Sequence, residues 1–415
     1  MNFNVKMFDP SNMEKARITG VTDRDMIGYS VGEDMIFDFT VKSGDEIVGV
    51  PQFSWSVERD FHEKYSGISD GKSGKLQLKT SMDKPGYVRV IVNAVDENGN
   101  GIPEVYRFDG GACAGFDSLK PAVEEPDDFD SFWAEKMAKL SEIEPVLLEY
   151  KKEDMPERDD YDTYSVKVEA GEWGPTTGYI IVPKTAEKGK MKIKMVYMGY
   201  GVGTANWWGH PDYITFSVNA HAIENNMPRE YYDDLLNNVY KKYGLEDERN
   251  NDREKAYFLQ MIMRDVQAVK FIMKSDYWNG KDIDVFGMSQ GGFQCIAVTS
   301  LMCDYVTSAI AEVPWMCDIG GIEFGRMAGP GPKYEQALDY FNSTNFARRI
   351  KCPIDIETGT GDYVCPVCFV SVMYNQLKCP RRFRIVQNRD HGTKPKDISV
   401  SERSVDFYVK KVELK

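Results

Sequence analysis

Lys281 to Ser300 reads KDIDVFGMSQGGFQCIAVTS. Ile283, Val285 and Phe286 form a short apolar run of the kind a buried strand shows, and Phe293 to Ser300 continues at helical spacing. Between them Gly287, Met288, Ser289, Gln290 and Gly291 spell GxSxG, which predicts a serine on a sharp strand-to-helix turn. Such a turn lifts a hydroxyl out of a sheet and packs its backbone so closely that a Cβ at Gly287 or Gly291 would collide. GxSxG alone also fits a glycine-rich turn with an incidental serine. The apolar strand before it and the apolar helix after it favour a nucleophile.

A serine hydroxyl needs a base to take its proton and an acid to orient that base. The α/β-hydrolase chain order is serine, then Asp or Glu, then histidine, and His391 is the one histidine after Ser289. It sits in NRDHG, a polar turn just after the apolar run Phe383 to Gln387, where a loop at a sheet's carboxyl edge is expected. Asp362, in ETGTGDYVCP, is the expected acid. Asp390 is the rival, but its place next to His391 makes it awkward for its carboxylate to reach the same ring's Nδ1. An oxyanion hole needs two backbone N–H groups, one from the residue after the nucleophile, Gln290, and one from the turn after an earlier strand, where Tyr200 stands in YMGYGVG. The glycines of that turn match neither GxGxxG nor a phosphate-loop lysine motif.

Outward from this centre, strands and helices alternate from Tyr164 onward, implying a mainly parallel sheet covered on both faces. Ser165–Val168 and Thr177–Val182 read as a hairpin. Met191–Met198, Asp212–Val218, Pro353–Thr358 and Phe383–Gln387 read as strands, Arg253–Lys274 as a long amphipathic helix, and Ser401–Glu413 as a closing helix. Pro126 opens a helix with Phe129, Phe132, Trp133, Met137 and Leu140 on one face. Asn226 to Asn251 exceeds a simple connection, which leaves room for a cap or a homo-oligomer contact.

Residues 21 to 107 differ in kind. Met35–Val41, Gln52–Val57, Lys75–Thr80 and Gly86–Val95 are strand-length runs separated by turn residues, the signature of a small antiparallel, immunoglobulin-like β-sandwich. Asp109 to Glu125, DGGACAGFDSLKPAVEE, lacks periodicity, so the boundary is expected there: residues 1–118 a sandwich domain, residues 119–415 an α/β-hydrolase domain. Asp96 to Gly101 begins like a calcium loop, but Arg107 at the twelfth position makes it a hairpin turn.

At 415 residues with 42% hydrophobic content the chain has ample length for two domains. A net charge of −14 disfavours nucleic acid and anionic membranes. No segment approaches the roughly 20 apolar residues of a membrane span, and the first residues lack a signal peptide's apolar stretch. The cytoplasm is therefore expected, with a secreted or periplasmic protein whose signal has been removed as the alternative. The eight cysteines do not look like a disulfide scaffold, and the lone CPVC of Cys365 and Cys368 lacks the second pair a zinc site needs. No metal and no cofactor is expected.

The stretches PDDFDSFWAEKMAKL, YMGYG, GMSQGG, VPWMCD and TGDYVCP followed by DHG resemble carbohydrate esterase family seven, the acetyl xylan esterases and cephalosporin-C deacetylases. The resemblance covers about residues 119 to 415. It implies a serine esterase that removes acetyl groups from sugar hydroxyls, with Ser289, Asp362 and His391 as triad, the Tyr200 and Gln290 amides as oxyanion hole, and an acetylated oligo- or polysaccharide as substrate. The family's RGQ motif is absent and VNAHAI stands there instead; the Glu after the family's catalytic histidine is Gly392. Trp207, Trp208 and Trp315 flank the predicted site and are candidate sugar contacts, although core or cap packing would use them equally well. The alternatives are a peptide or thioester hydrolase using the same triad, and a carbohydrate-binding protein that has lost catalysis.

Overall fold

The computed structural model describes residues 5–329, 331–395 and 399–407. Two sheets form from the N-terminal quarter of the chain. One holds β1 (Ala16–Thr22), β2 (Met35–Ser43), β3 (Glu46–Ile47), β6 (Lys75–Thr80) and β8 (Val105–Tyr106). The other holds β4 (Gln52–Arg59), β5 (Glu63–Asp70), β7 (Gly86–Val95) and β9 (Phe108–Ala114). Every pairing is antiparallel except the short β1–β8 match, where Arg17 stands beside Tyr106. Met35, Phe37, Phe39 and Val41 alternate inward along β2. The Phe39 ring meets Phe108 of the facing sheet edge-on at 5.1 Å, so the expected sandwich closes on an aromatic core.

The stretch expected to be an unstructured boundary begins with a strand. β9 is buried along its whole length. Its glycines, which looked like linker residues, are there for close approach: a Cβ on Gly111 would strike the Val88 carbonyl oxygen. The turn at Asp96 is a turn as expected, its carboxylate accepting from the Asn98 and Asn100 amides at 2.9 and 2.8 Å.

A ten-stranded sheet follows, in the order β10–β11–β12–β14–β13–β15–β16–β17–β18–β19. Its strands are β10 (Leu147–Glu153), β11 (Tyr161–Val168), β12 (Thr176–Pro183), β13 (Met191–Tyr197), β14 (Tyr213–Val218), β15 (Trp278–Met288), β16 (Ser308–Glu312), β17 (Ile354–Gly359), β18 (Arg381–Val386) and β19 (Val400–Val405). From β14 to β18 all neighbours run parallel, and the flanking strands are antiparallel. Helices α1 (Phe129–Ser141), α2 (Arg229–Asn238), α3 (Tyr257–Ile272), α4 (Gln290–Leu301), α5 (Ser343–Ala347) and α6 (Val367–Gln376) complete the fold. The chain is thus an α/β protein with a mainly parallel sheet preceded by an antiparallel sandwich. Helix α4 is buried from Gln290 to Ser300, since it lies between the sheet and other helices.

One expectation fails at the C-terminal end. Val400–Val405 is not the start of a helix but β19, paired antiparallel with β18; residues 408–415 lie outside those described. An unpaired edge of β18 offers a ladder of hydrogen bonds that outweighs the weak helical preference of VSERSV. The strand also reaches back to the sandwich, where Arg403 pairs with Asp25 at 2.8 Å.

Candidate active site

Four loops at the carboxyl edge of the parallel strands converge, as ligands do in open α/β sheets. The first follows β15. Ser289 has φ 60° and ψ −121°, a strained conformation for a residue with a Cβ. Its neighbours enforce it: a Cβ on Gly287 would strike the Gly291 carbonyl, and one on Gly291 the Tyr197 carbonyl. The Ser289 amide donates to Glu312 O at 2.9 Å, and its own carbonyl accepts from Trp315 N at 3.0 Å. Backbone from β16 and the segment after it therefore fixes the turn.

The loops after β17 and β18 supply the other two side chains. Ser289 Oγ lies 2.9 Å from His391 Nε2, and His391 Nδ1 lies 2.8 Å from Asp362 Oδ2. A carboxylate accepts only, so Nδ1 carries the proton and Nε2 faces the serine hydroxyl with its lone pair. Asp362 is fully buried, and its other oxygen accepts from the Val364 and Cys365 amides at 2.9 Å each. Asp390, the rival acid, instead caps its own loop through the Gly392 and Thr393 amides. Beneath His391, the buried Arg389 pairs with Glu357 and with Glu312, and Lys394 joins Glu357 at 2.7 Å. Gln387 ties the same loop to the sandwich: its side chain accepts from Gly111 N at 2.9 Å and donates to Gly111 O at 3.0 Å.

The turn after β13 brings Tyr200 to the opposite side of Ser289. Among the described residues neither the Tyr200 amide nor the Gln290 amide meets an acceptor, which is what a developing oxyanion requires. A buried network that the sequence reading missed holds this turn. The Tyr243 hydroxyl accepts from Gly201 N at 3.0 Å and donates to Gln290 Oε1 at 2.9 Å, and the Tyr200 ring stacks on Tyr243 at 4.4 Å. His221, from the VNAHAI segment, has Nε2 3.1 Å from Gly201 O and Nδ1 2.5 Å from the Tyr257 hydroxyl. Burial pushes the His221 pKa down to about 3, with Arg264 acting in the same sense, so the ring is neutral and its Nε2–H donates to Gly201. The Asn226–Asn251 stretch thus contributes a cap: α2, then Tyr243 as an anchor.

A cleft of about 530 Å³ opens over these groups, lined among others by Ser289, His391, Tyr200, Leu245, Trp315 and Val364. Of the three tryptophans singled out from sequence, Trp315 lines it. Trp207 does not: it packs on Tyr161, donates to Thr163 Oγ1 at 2.9 Å and lies under Arg158. Trp208 stacks on His210 at 5.6 Å, also away from the cleft. Among the described residues no group of three His, Cys, Asp or Glu side chains is arranged to hold a metal ion, and no helix is long and apolar enough to cross a membrane. All eight cysteines are unbonded.

Comparison with known proteins places the chain in a family. The chain is 26% identical to the acetyl esterase Axe7A of Xylanibacter ruminicola over 373 residues, 84% of this chain and 81% of that protein. The solved acetyl xylan esterase from Paenibacillus sp. R4 superposes with a TM-score of 0.56 at 20% identity, covering 68% of this chain and 94% of that one. Acetyl xylan esterase 1 from Thermoanaerobacterium sp. JW/SL YS485 does so with a TM-score of 0.55 at 17% identity, covering 68% and 93%. Both share the α/β-hydrolase fold. The acetyl xylan esterase (AXE1) family profile matches residues 115–326 and 333–410, and with that extent of match the chain belongs to the acetyl xylan esterase family.

Proposed function

We propose that this carboxylic-ester hydrolase removes O-acetyl groups from carbohydrates of the acetylated xylan type, with Ser289 as nucleophile, His391 as general base and acid, and Asp362 as the group that orients the imidazole. The observation that carries the reading is the unbroken chain of contacts, 2.9 Å from Ser289 Oγ to His391 Nε2 and 2.8 Å from Nδ1 to Asp362. His391 takes the serine proton as Oγ attacks the acetyl carbonyl, and the tetrahedral oxyanion receives the Gln290 and Tyr200 amides. His391 then returns the proton to the departing sugar alcohol. Water, activated by the same ring, releases acetate.

Family membership and the acetyl esterase relative support an acetyl ester as the bond cleaved. The chain is read as two domains, a sandwich in residues 1–118 and a hydrolase in residues 119–415; the family match beginning at residue 115 supports that division. Eight unbonded cysteines suit a reducing compartment, the cytoplasm. The test is acetate release from acetylated xylan by wild type beside Ser289→Ala, where a drop of about 10⁴-fold or more is expected. A rate that survives the substitution would remove Ser289 from the mechanism. Faster cleavage of an aminoacyl anilide than of p-nitrophenyl acetate would move the substrate class to peptides.

A further inference from the structure

A second cavity, of about 1040 Å³, adjoins the cleft over Ser289. The two share Val364 and His391, so a chain of sugars whose ester sits at Ser289 passes from one into the other. Its far wall belongs to the sandwich: Arg17 of β1, Arg89 of β7, and Tyr106, Arg107 and Asp109 around β8 and β9.

The charges of that wall do not balance. Arg89 grips Asp109 with two bonds, Nε to Oδ1 at 2.9 Å and its terminal nitrogen to Oδ2 at 2.8 Å, and lies 3.6 Å over the Tyr363 ring. Arg107 shares the same Oδ2 at 3.0 Å while more than half exposed, and Glu58, which faces Arg89 across the β4–β7 pair, is itself paired with Lys64 at 3.6 Å. Arg17 forms no ion pair with any described residue and lies over the Tyr106 ring at 5.9 Å. Lys15 lies over the same ring at 5.8 Å, and Lys42 is directly opposite Arg17 across the β1–β2 pair. Like charges facing each other across strands repel, and Glu14 and Glu104, the acids nearest in sequence, form no ion pair among the described residues. The remaining cavity charges are already engaged: Lys394 with Glu312 and Glu357, Asp390 with its own loop. A surplus of positive charge thus stands in one wall of a groove on a protein whose net charge is −14.

We propose that the sandwich wall of this groove binds a carboxylate carried by the saccharide, so that the enzyme favours acetylated oligosaccharides bearing a hexuronic acid over neutral ones. Arg17 and Arg107 receive the carboxylate, since guanidinium groups match its two oxygens, and the half-exposed Tyr106 beside them lines the same cavity. The inference rests on the acetylated-carbohydrate reading above.

The experiment has two arms. In the first, deacetylated xylo-oligosaccharides with and without one glucuronic acid branch compete with p-nitrophenyl acetate, using wild type and Arg17→Ala/Arg107→Ala. The branched sugar is expected to inhibit wild type at a concentration about fivefold lower than the neutral one, and high salt or the double substitution should remove the difference. Uncompeted hydrolysis of p-nitrophenyl acetate should stay unchanged, which shows that the variant is folded. Equal inhibition by both sugars, or a preference that survives the double substitution, overturns the proposal. In the second arm acetate release is measured from the acetylated forms of both sugars. No release from either, with selective inhibition intact, would overturn the carbohydrate esterase reading while leaving the uronic acid site standing.

Discussion

On one flank of Ser289 the Tyr200 turn leans on neutral rings, Tyr243, His221 and Tyr257, joined by hydroxyl, imidazole and backbone groups. On the other flank, the loops carrying Asp362 and His391 sit on charges, Arg389 with Glu357 and Glu312, and on backbone lent by β9 of the sandwich. In the proposed mechanism the oxyanion side presents uncommitted N–H groups without a field that depends on solution conditions. Neutral donors and acceptors with fixed geometry do this. The proposed acid and base sit on two separate loops that must stay in register over a long sequence gap, and charge pairs with several partners resist such displacement.

This contrast can be broken from either side. The largest expected effect on folding is from Arg389→Met, which takes from the buried Glu357 and the partly buried Glu312 their common partner. Losing one member of a buried pair costs about 3–5 kcal/mol. Chemical denaturation should report that loss, and esterase activity should fall with it as the His391 loop loosens. Stability equal to wild type would show that Arg384, which pairs with Glu357 at 2.8 Å, and Lys394 suffice to neutralise the carboxylates.

Next comes an acid test of the neutral flank. Folded His221 takes up a proton only as pH falls toward about 3, whereas an unfolded histidine does so near 6.5. The unfolded chain therefore holds more protons between these values, and stability is lost as pH drops below about 6.5. By pH 4 this group alone accounts for about 3 kcal/mol. Burial holds the three rings packed on it, Tyr240, Tyr243 and Tyr257, above their ordinary values, so they stay neutral in that window and His221→Gln should flatten the fall in melting temperature between pH 6.5 and pH 4. An unchanged slope would place the acid sensitivity elsewhere.

The smallest effect is the most specific. Tyr243→Phe removes one oxygen, which accepts from Gly201 N and donates to Gln290 Oε1. A buried hydrogen bond lost on the oxyanion side should lower kcat by about tenfold with KM little changed. A change in KM alone would mean that Tyr243 shapes the cleft rather than the oxyanion turn.

The proposed triad of Ser289, His391 and Asp362 was legible in the chain because its signals are local: two glycines that permit a strained turn, a late histidine after an apolar run, an acid after the preceding strand. The sandwich was legible from the alternation along β2 and β7. β9 was not, since a strand buried on both faces and rich in glycine shows no period of two. β19 was not, since an edge strand is held by its neighbour rather than by its own residues. Trp207 and Trp208 adjoin the site in sequence but turn to Tyr161 and His210. Tyr243 carried no signal at all within a polar stretch.

The alternation of strands and helices, the serine turn and the candidate partners of Ser289 follow from the amino-acid sequence, because spacing, glycine sterics and hydrogen-bonding type act over a few residues. Only the tertiary structure brought His221 and Tyr243 behind the oxyanion turn and set Arg17 and Arg107 beside the cleft. Those contacts join residues far apart in the chain, and their energy depends on burial and on charges from several elements at once, which no local pattern encodes.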